Sequence, residues 1–314
     1  MTAALPVGRP NLGDRLVATT NSPPEHHVRV ALDTRLRALL EHEPGTRVGK
    51  DPEDLHQMRV AVRRMRAVLR AARPLLDRAW ADGLRAELGW LGRGLGPVRD
   101  LDVLLERLRG EAAELGERDA KAVAPLLDAI AAERVAARET MLDALGSDRF
   151  AALLGRLADA VAQPLPRPAT LDGGEPPKPP KLSGLVRKEF RRLRKAVRSA
   201  GAYPADSELH ALRIYGKRVR YTAELAAPAM GAPARELIKV VTAMQDVLGE
   251  HQDACVAQLR VRTLLDELGD AAGRDTVFAA GRLVEREEVR RTGARAAWPP
   301  AWRAVEDAAG RLDG

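Results

Sequence analysis

A chain of 314 residues, 45% of them hydrophobic, is long enough for two ordinary domains and apolar enough for packed cores. Ala, Leu, Arg and Glu dominate and aromatics make up only 3%, a helix-forming composition with few β-branched runs. The 51 Lys+Arg against 44 Asp+Glu leave a formal +7, which favours polyanionic partners, and the single Cys255 excludes a disulfide framework and a thiolate zinc site.

In chain order, the opening "MTAALPVGRPNLGDRL" lacks a long apolar core, and no stretch approaches 18 consecutive apolar residues. This predicts neither a signal peptide nor a membrane span, and hence a soluble, cytoplasmic, all-α protein. Residues 1–25 are expected to be a flexible segment, and residues 26–161 a first helical bundle. Within it, "LHQMRVAVRRMRAVLR" (55–70) places Leu55, Met58, Val62, Met65 and Leu69 on one helical face. His56, Arg59, Arg63, Arg66 and Arg70 form a second stripe beside that face, within about 80° of one another.

"AQPLPRPATLDGGEPPKPPK" (162–181) holds seven of the 21 prolines and a Gly pair, so it predicts a semi-extended linker. Residues 182–314 then form the second bundle. "LVRKEFRRLRKAVR" sets Arg187, Arg191, Arg194 and Arg198 beside Phe190, Leu193 and Val197. "LHALRIYGKRVRYTAE" repeats the earlier helix, aligning His210, Arg213, Lys217, Arg218 and Arg220 with His56, Arg59, Arg63, Arg64 and Arg66. One position departs from the match: Glu224 stands where the first copy has Arg70.

Three further pairs keep the same order: "TRLRALL" (34–40) with "RRLRKAV" (191–197), "LGPVRDLDV" (95–103) with "LGEHQDACV" (248–256), and "AERVAAR" (132–138) with "VEREEVR" (284–290). The pattern argues for a duplicated helical unit, with a period far longer than a solenoid repeat.

Like charges at i, i+4 destabilise an isolated helix, and few carboxylates lie within these stripes. A solvated basic face explains any one stripe. Three stripes, two of them in register behind a histidine, point instead to a ligand of repeated anionic groups, onto which guanidinium groups fork. Metal binding at His56 or His210 is disfavoured by the cation at i+3 of each and by the lack of a ligand four residues away. Asp100, Asp102, Asp246 and Asp253 could be read as a phosphohydrolase cluster, but Asp100 and Asp253 fit better as helix caps or as holders of a stripe arginine. Gly92, Gly94 and Gly96 lack the Lys-Ser/Thr ending of a phosphate loop and suit close packing and a turn. No nucleophile–base arrangement suggests itself, so no enzyme activity and no cofactor are expected. Binding to a nucleic-acid backbone is the rival reading, although the stripes are almost free of aromatics on which bases could stack.

The duplicated H-x-x-R-x-x-x-[RK]-x-x-R helix, at His56–Arg66 and His210–Arg220, resembles the hallmark of the CHAD (conserved histidine α-helical) domain family, and "LGPVRDLDV" and "LGEHQDACV" look like its second signature. The resemblance runs from about His26 to the C-terminus. It implies two pseudo-symmetric antiparallel bundles around a basic central channel, binding of inorganic polyphosphate and association with polyphosphate granules. Contacts are expected from Arg59, Arg63, Arg64, Arg66, Arg70, Arg213, Lys217, Arg218 and Arg220, with Arg191, Arg194 and Arg198 as a third wall, while His56 and His210 either contribute contacts or orient the stripes. Some members carry a triphosphate-tunnel domain with an E-x-E-x-K strand motif. That motif is absent here, and a stand-alone member is expected.

Overall fold

The computed structural model describes residues 10–168 and 179–312. Among these there are ten α-helices and no strand, so the chain is all-α as expected. The first six are α1 (Pro24–Val48), α2 (Pro52–Ala71), α3 (Arg78–Ala113), α4 (Glu117–Ala122), α5 (Ala124–Gly146) and α6 (Asp148–Ala162). The other four are α7 (Leu182–Ala200), α8 (Asp206–Met230), α9 (Ala232–Leu268) and α10 (Arg274–Gly310). Helix α2 packs between α1 and α3, and α8 packs between α7 and α9.

Local chemistry sets where α2 and α3 begin. The Asp51 carboxylate accepts from the Glu53 N–H at 2.8 Å, with Pro52 in the first turn, and Asp77 accepts from the Trp80 N–H at 2.8 Å. Helix α1 ends at Gly49, whose φ of +73° only glycine adopts without strain, and its N–H donates to the Gly45 carbonyl at 2.7 Å. The Arg138 guanidinium of α5 covers that end, donating to the carbonyls of Thr46 (3.2 Å) and Arg47 (2.5 Å). Gly92, Gly94 and Gly96 sit inside α3 and make no turn, because the ladder continues past them and Pro97 to Ala113.

Two stretches read as loose from sequence are packed. Residues 10–23 lie along α1: the Leu16 N–H donates to Asp33 at 3.0 Å, Arg37 donates to the Gly13 carbonyl at 2.5 Å, and His26 bonds the Val17 carbonyl at 2.8 Å. Residues 1–9 lie outside the described residues. The first part of the proline-rich stretch also folds onto the bundle. Leu165 is buried, the Pro166 carbonyl accepts from the Asp77 N–H at 2.8 Å, and Arg167 pairs with Glu25 at 3.0 Å. Proline forbids a helix here but leaves carbonyls and an apolar side chain to anchor the strand of chain. Residues 169–178, the middle of the expected tether, lie outside the described residues.

The halves do not own separate cores. One apolar cluster runs from Val28 and Leu32 through Met58, Met65 and Leu91 into Leu193, Leu212, Val219 and Val305. A second joins Leu105, Leu108 and Ile130 to Ala257, Val261 and Leu283. Beside the latter, Arg107 of α3 reaches across. Its guanidinium bonds Glu287 of α10 at 2.8 and 2.5 Å and Glu250 of α9 at 3.1 and 2.8 Å.

Glu287 is fully buried, so Arg107 is what offsets its desolvation, and the two carboxylates hold Arg107 charged. Removing one partner of such a pair strands the other. Replacing Arg107 by Ala should destabilise the fold by about 3–5 kcal/mol in urea unfolding. Adding Glu287→Met to an Arg107→Met change should restore much of that loss.

Candidate functional site

Helices α2 and α8 meet face to face, and each brings its basic stripe to the meeting. His56, Arg59 and Arg63 of α2 face His210, Arg213 and Lys217 of α8 across one cleft of about 550 Å³. Arg99, Asp100 and Arg107 of α3 and Gln252 and Asp253 of α9 complete it. Arg63 and Lys217 also line a neighbouring hollow of about 300 Å³ with Arg66, Arg70, Arg85 and Arg218. Arg70 and Arg218 border a third hollow, against α7. Shared side chains make these one continuous basic surface. Helix α8 packs on α9 at Gly216, where a Cβ would stand 2.8 Å from Met244 Cε and move the end of that side chain.

The remaining residues singled out from sequence sit elsewhere. Arg64 points away from the cleft into a small cavity with Arg35 and Glu224, its Nη2 3.6 Å from Glu224. Arg220 lies 5.0 Å over the Tyr221 ring and 3.6 Å from Glu224. Arg191, Arg194 and Arg198, expected as a third wall, border none of the hollows described above. Arg194 instead covers Phe190 at 5.7 Å. The flank of α7 that faces the basic surface carries Lys188, Arg192 and Lys195. Leu182, Val186, Phe190 and Leu193 are buried, and cations flank that stripe on both sides. Periodicity locates the buried stripe but not which flank meets α8.

Burial makes the cleft electrostatically costly. The Nε–H groups of Arg63 and Arg213 in the cleft and of Arg218 beside it are buried and reach no acceptor, as are those of Arg64 and Arg220 outside it. Each such donor forfeits roughly 1–3 kcal/mol, and more when charged. Desolvation lowers the pKa of Arg63, Arg66 and Arg70, with neighbouring arginines adding to it. Lys217 bears the largest consequence. Burial, then Arg213, Arg63, Arg220 and Arg59, push its amine down to about 7. His56 is likewise lowered by burial and by Arg99. His210 donates from Nδ1 to Gln252 Oε1 at 2.6 Å.

The carboxylates act as holders. Asp100 accepts from Arg59 at 2.6 Å, the positioning role expected of it, but both Asp100 and Asp253 lie mid-helix and cap nothing. Asp253 has its pKa raised by burial, against the pull of Arg213 and Arg107. Asp102 pairs with Arg134 instead. Among the described residues the four aspartates do not gather at metal-ligand distance. The group that does is Asp206, His251 and Cys255. Arg291 (2.8 Å) and Arg295 both donate to the Asp206 carboxylate, so a cation there would meet two guanidinium groups.

Sequence reasoning missed Arg99, Arg85, Lys188, Arg192 and Lys195. Arg99 lies next to Asp100 in a quoted segment, and the two lysines and Arg192 repeat at i, i+4, i+7. Arg85 carries no periodic signal.

The CHAD domain family model matches residues 30–262. The chain belongs to the CHAD domain family. Two curated proteins of Mycobacterium tuberculosis, the uncharacterized proteins MT2285 (strain CDC 1551 / Oshkosh) and Rv2226 (strain ATCC 25618 / H37Rv), are each 30% identical to it over 295 residues. The match takes in 84% of this chain, which spans about half the length of those relatives (50%). Among solved structures, the CHAD domain from the plant Ricinus communis aligns with a TM-score of 0.64 at 25% identity, over 92% of this chain and 97% of that one. PptA from Streptomyces chartreusis aligns with a TM-score of 0.72 at 24% identity, over 90% of this chain and all of that one (100%), and shares the fold. No helix of the described residues is long and apolar enough to cross a membrane.

In this CHAD domain, Lys217 has a folded pKa below its unfolded value of 10.5. Between about pH 7 and 10.5 the unfolded chain therefore binds the extra proton, and stability should rise with pH across that window. Urea midpoints should show this rise in the unmodified protein and a flatter profile in Lys217→Met.

Proposed function

We propose that the cleft binds inorganic polyphosphate, with Arg59, Arg63, Arg213 and Lys217 as its central contacts and Arg66, Arg70 and Arg218 extending the track. One observation carries this reading: buried guanidinium N–H groups converge from two helices without acceptors. A chain of phosphate oxygens supplies acceptors and negative charge at the spacing of successive helical turns, about 6 Å. Membership of a family whose members bind polyphosphate supports it. Binding without turnover is part of the proposal, since guanidinium groups do not exchange protons at neutral pH and Asp100 is occupied by Arg59. Localisation at polyphosphate granules in the cytoplasm follows from the same reading.

A nucleic-acid backbone is the second reading, and the aromatics weigh against it. Tyr221 is 4% exposed and lies under Arg220, and Tyr215 is covered by Arg218 at 4.7 Å. Neither offers a free platform for stacking, which contributes roughly 1–3 kcal/mol per base where a platform exists.

Two outcomes are expected. Long-chain polyphosphate should displace labelled single- and double-stranded DNA at matched phosphate concentration, while excess DNA leaves bound polyphosphate in place. Equal displacement, phosphate for phosphate, would put the nucleic-acid reading first. The second concerns both walls at once: Arg59→Glu with Arg63→Glu should abolish most binding although α8 is untouched. Half the stoichiometry at unchanged affinity would show two independent sites. The polyphosphate recovered from either titration should keep its length on a gel.

A further inference from the structure

The two ends of the basic surface are built differently. On the α7 side, Lys188, Arg192 and Lys195 face Arg70 and Arg218 across hollows of about 600 and 750 Å³. The carboxylates there are Glu189, which pairs with Arg192 at 2.5 Å, and Glu208, which accepts the Ala205 N–H at 2.6 Å as part of the start of α8. Cations outnumber them.

On the α1 side, the matching positions of "TRLRALL" and "RRLRKAV" put Ala31, Arg35 and Ala38 where α7 has Lys188, Arg192 and Lys195. The cavity there is about 180 Å³. Glu224 stands in it where the other end has Arg70, and one oxygen, Oε1, lies 3.6 Å from both Arg64 and Arg220. That oxygen sits where a phosphate oxygen would bridge the same two guanidinium groups. Arg35 also lies within its field and is lowered by burial and by Arg64. Tyr221 lines this cavity and the central hollow alike, so it forms the wall between them.

We infer that Glu224 closes the α1 end of the basic surface, so that a polyphosphate chain held in the cleft extends over α7 only. The carboxylate is a built-in substitute for a phosphate: it sets a negative charge 3.6 Å from both Arg64 and Arg220 from within the protein. This rests on the polyphosphate reading and adds a direction to it. A bound chain would have one end at the α2–α8 crossing and grow along Lys188, Arg192 and Lys195. Chains longer than the cleft would gain affinity on one side.

The test compares Glu224→Gln and Glu224→Arg with the unmodified full chain, titrated with tripolyphosphate and with long-chain polyphosphate at several salt concentrations. Glu224→Gln keeps the side-chain shape, so it reads the charge alone should Glu224→Arg misfold. Opening the second end should raise long-chain affinity roughly tenfold in Glu224→Arg and less in Glu224→Gln, with the gain larger for long chains than for tripolyphosphate. The slope of log affinity against log salt should steepen by about one for each phosphate contact added. Unchanged or weaker long-chain binding by folded variants would overturn the inference while leaving the site reading intact. Failure of the unmodified chain to bind any polyphosphate would instead remove the reading on which it rests.

Discussion

Like charge held in a partly dry place is the constraint on which the rest of this molecule turns. Two helices present guanidinium and amine groups to each other across a narrow gap, and several buried N–H donors find no acceptor. In isolation that arrangement would push α2 and α8 apart. It persists because the helices are fixed elsewhere: by apolar stripes buried in a common core, by Asp100 on Arg59, and by Arg107 joining α3 to α9 and α10. The strain is local and the support is distributed.

Charge distribution separates the structural arginines from those free for a ligand. Arg286 and Arg290 grip Glu111, Arg295 grips Asp206, and Arg134 grips Asp102, so these cations fasten helices together. The cleft is the region where cations gather and the acids are few and mostly engaged. A net charge of +7 spread evenly over the surface would say little about partners. Cations gathered at one helix crossing are what the proposed polyanion reading rests on.

Much of this was legible in the sequence, for identifiable reasons. Helical class and the two facing stripes follow from a 3.6-residue period that burial reproduces at Met58, Val62, Met65, Leu209, Leu212 and Val219. The role of Asp100 as a holder of a stripe arginine was also readable, from its place in a repeated segment. What could not be read was anything that depends on how helices sit around one another. Which flank of α7 lines the hollows is one such feature, because Arg191, Arg194 and Arg198 flank the apolar stripe just as Lys188, Arg192 and Lys195 do. Leu165 and the Pro166 carbonyl hold down a stretch whose composition spells only a tether. Cores that run across both halves are invisible to a comparison of each half with the other. The cluster of Asp206 with His251 and Cys255 joins residues 45 positions apart, and no local pattern announces it.

The shared core has a consequence for the cost of holding a ligand. Both walls of the cleft are anchored in apolar packing that includes residues of each half, so the width of the gap is set before anything enters it. Close-packed interiors resist deformation, and side chains rooted in them arrive with much of their rotamer freedom already removed. Little ordering entropy then remains to be lost on association, in contrast to a flexible basic tail wrapping around the same polymer. On the proposed reading, the rigidity that holds like charges together in the cleft is also what would favour a thin, featureless, densely charged chain.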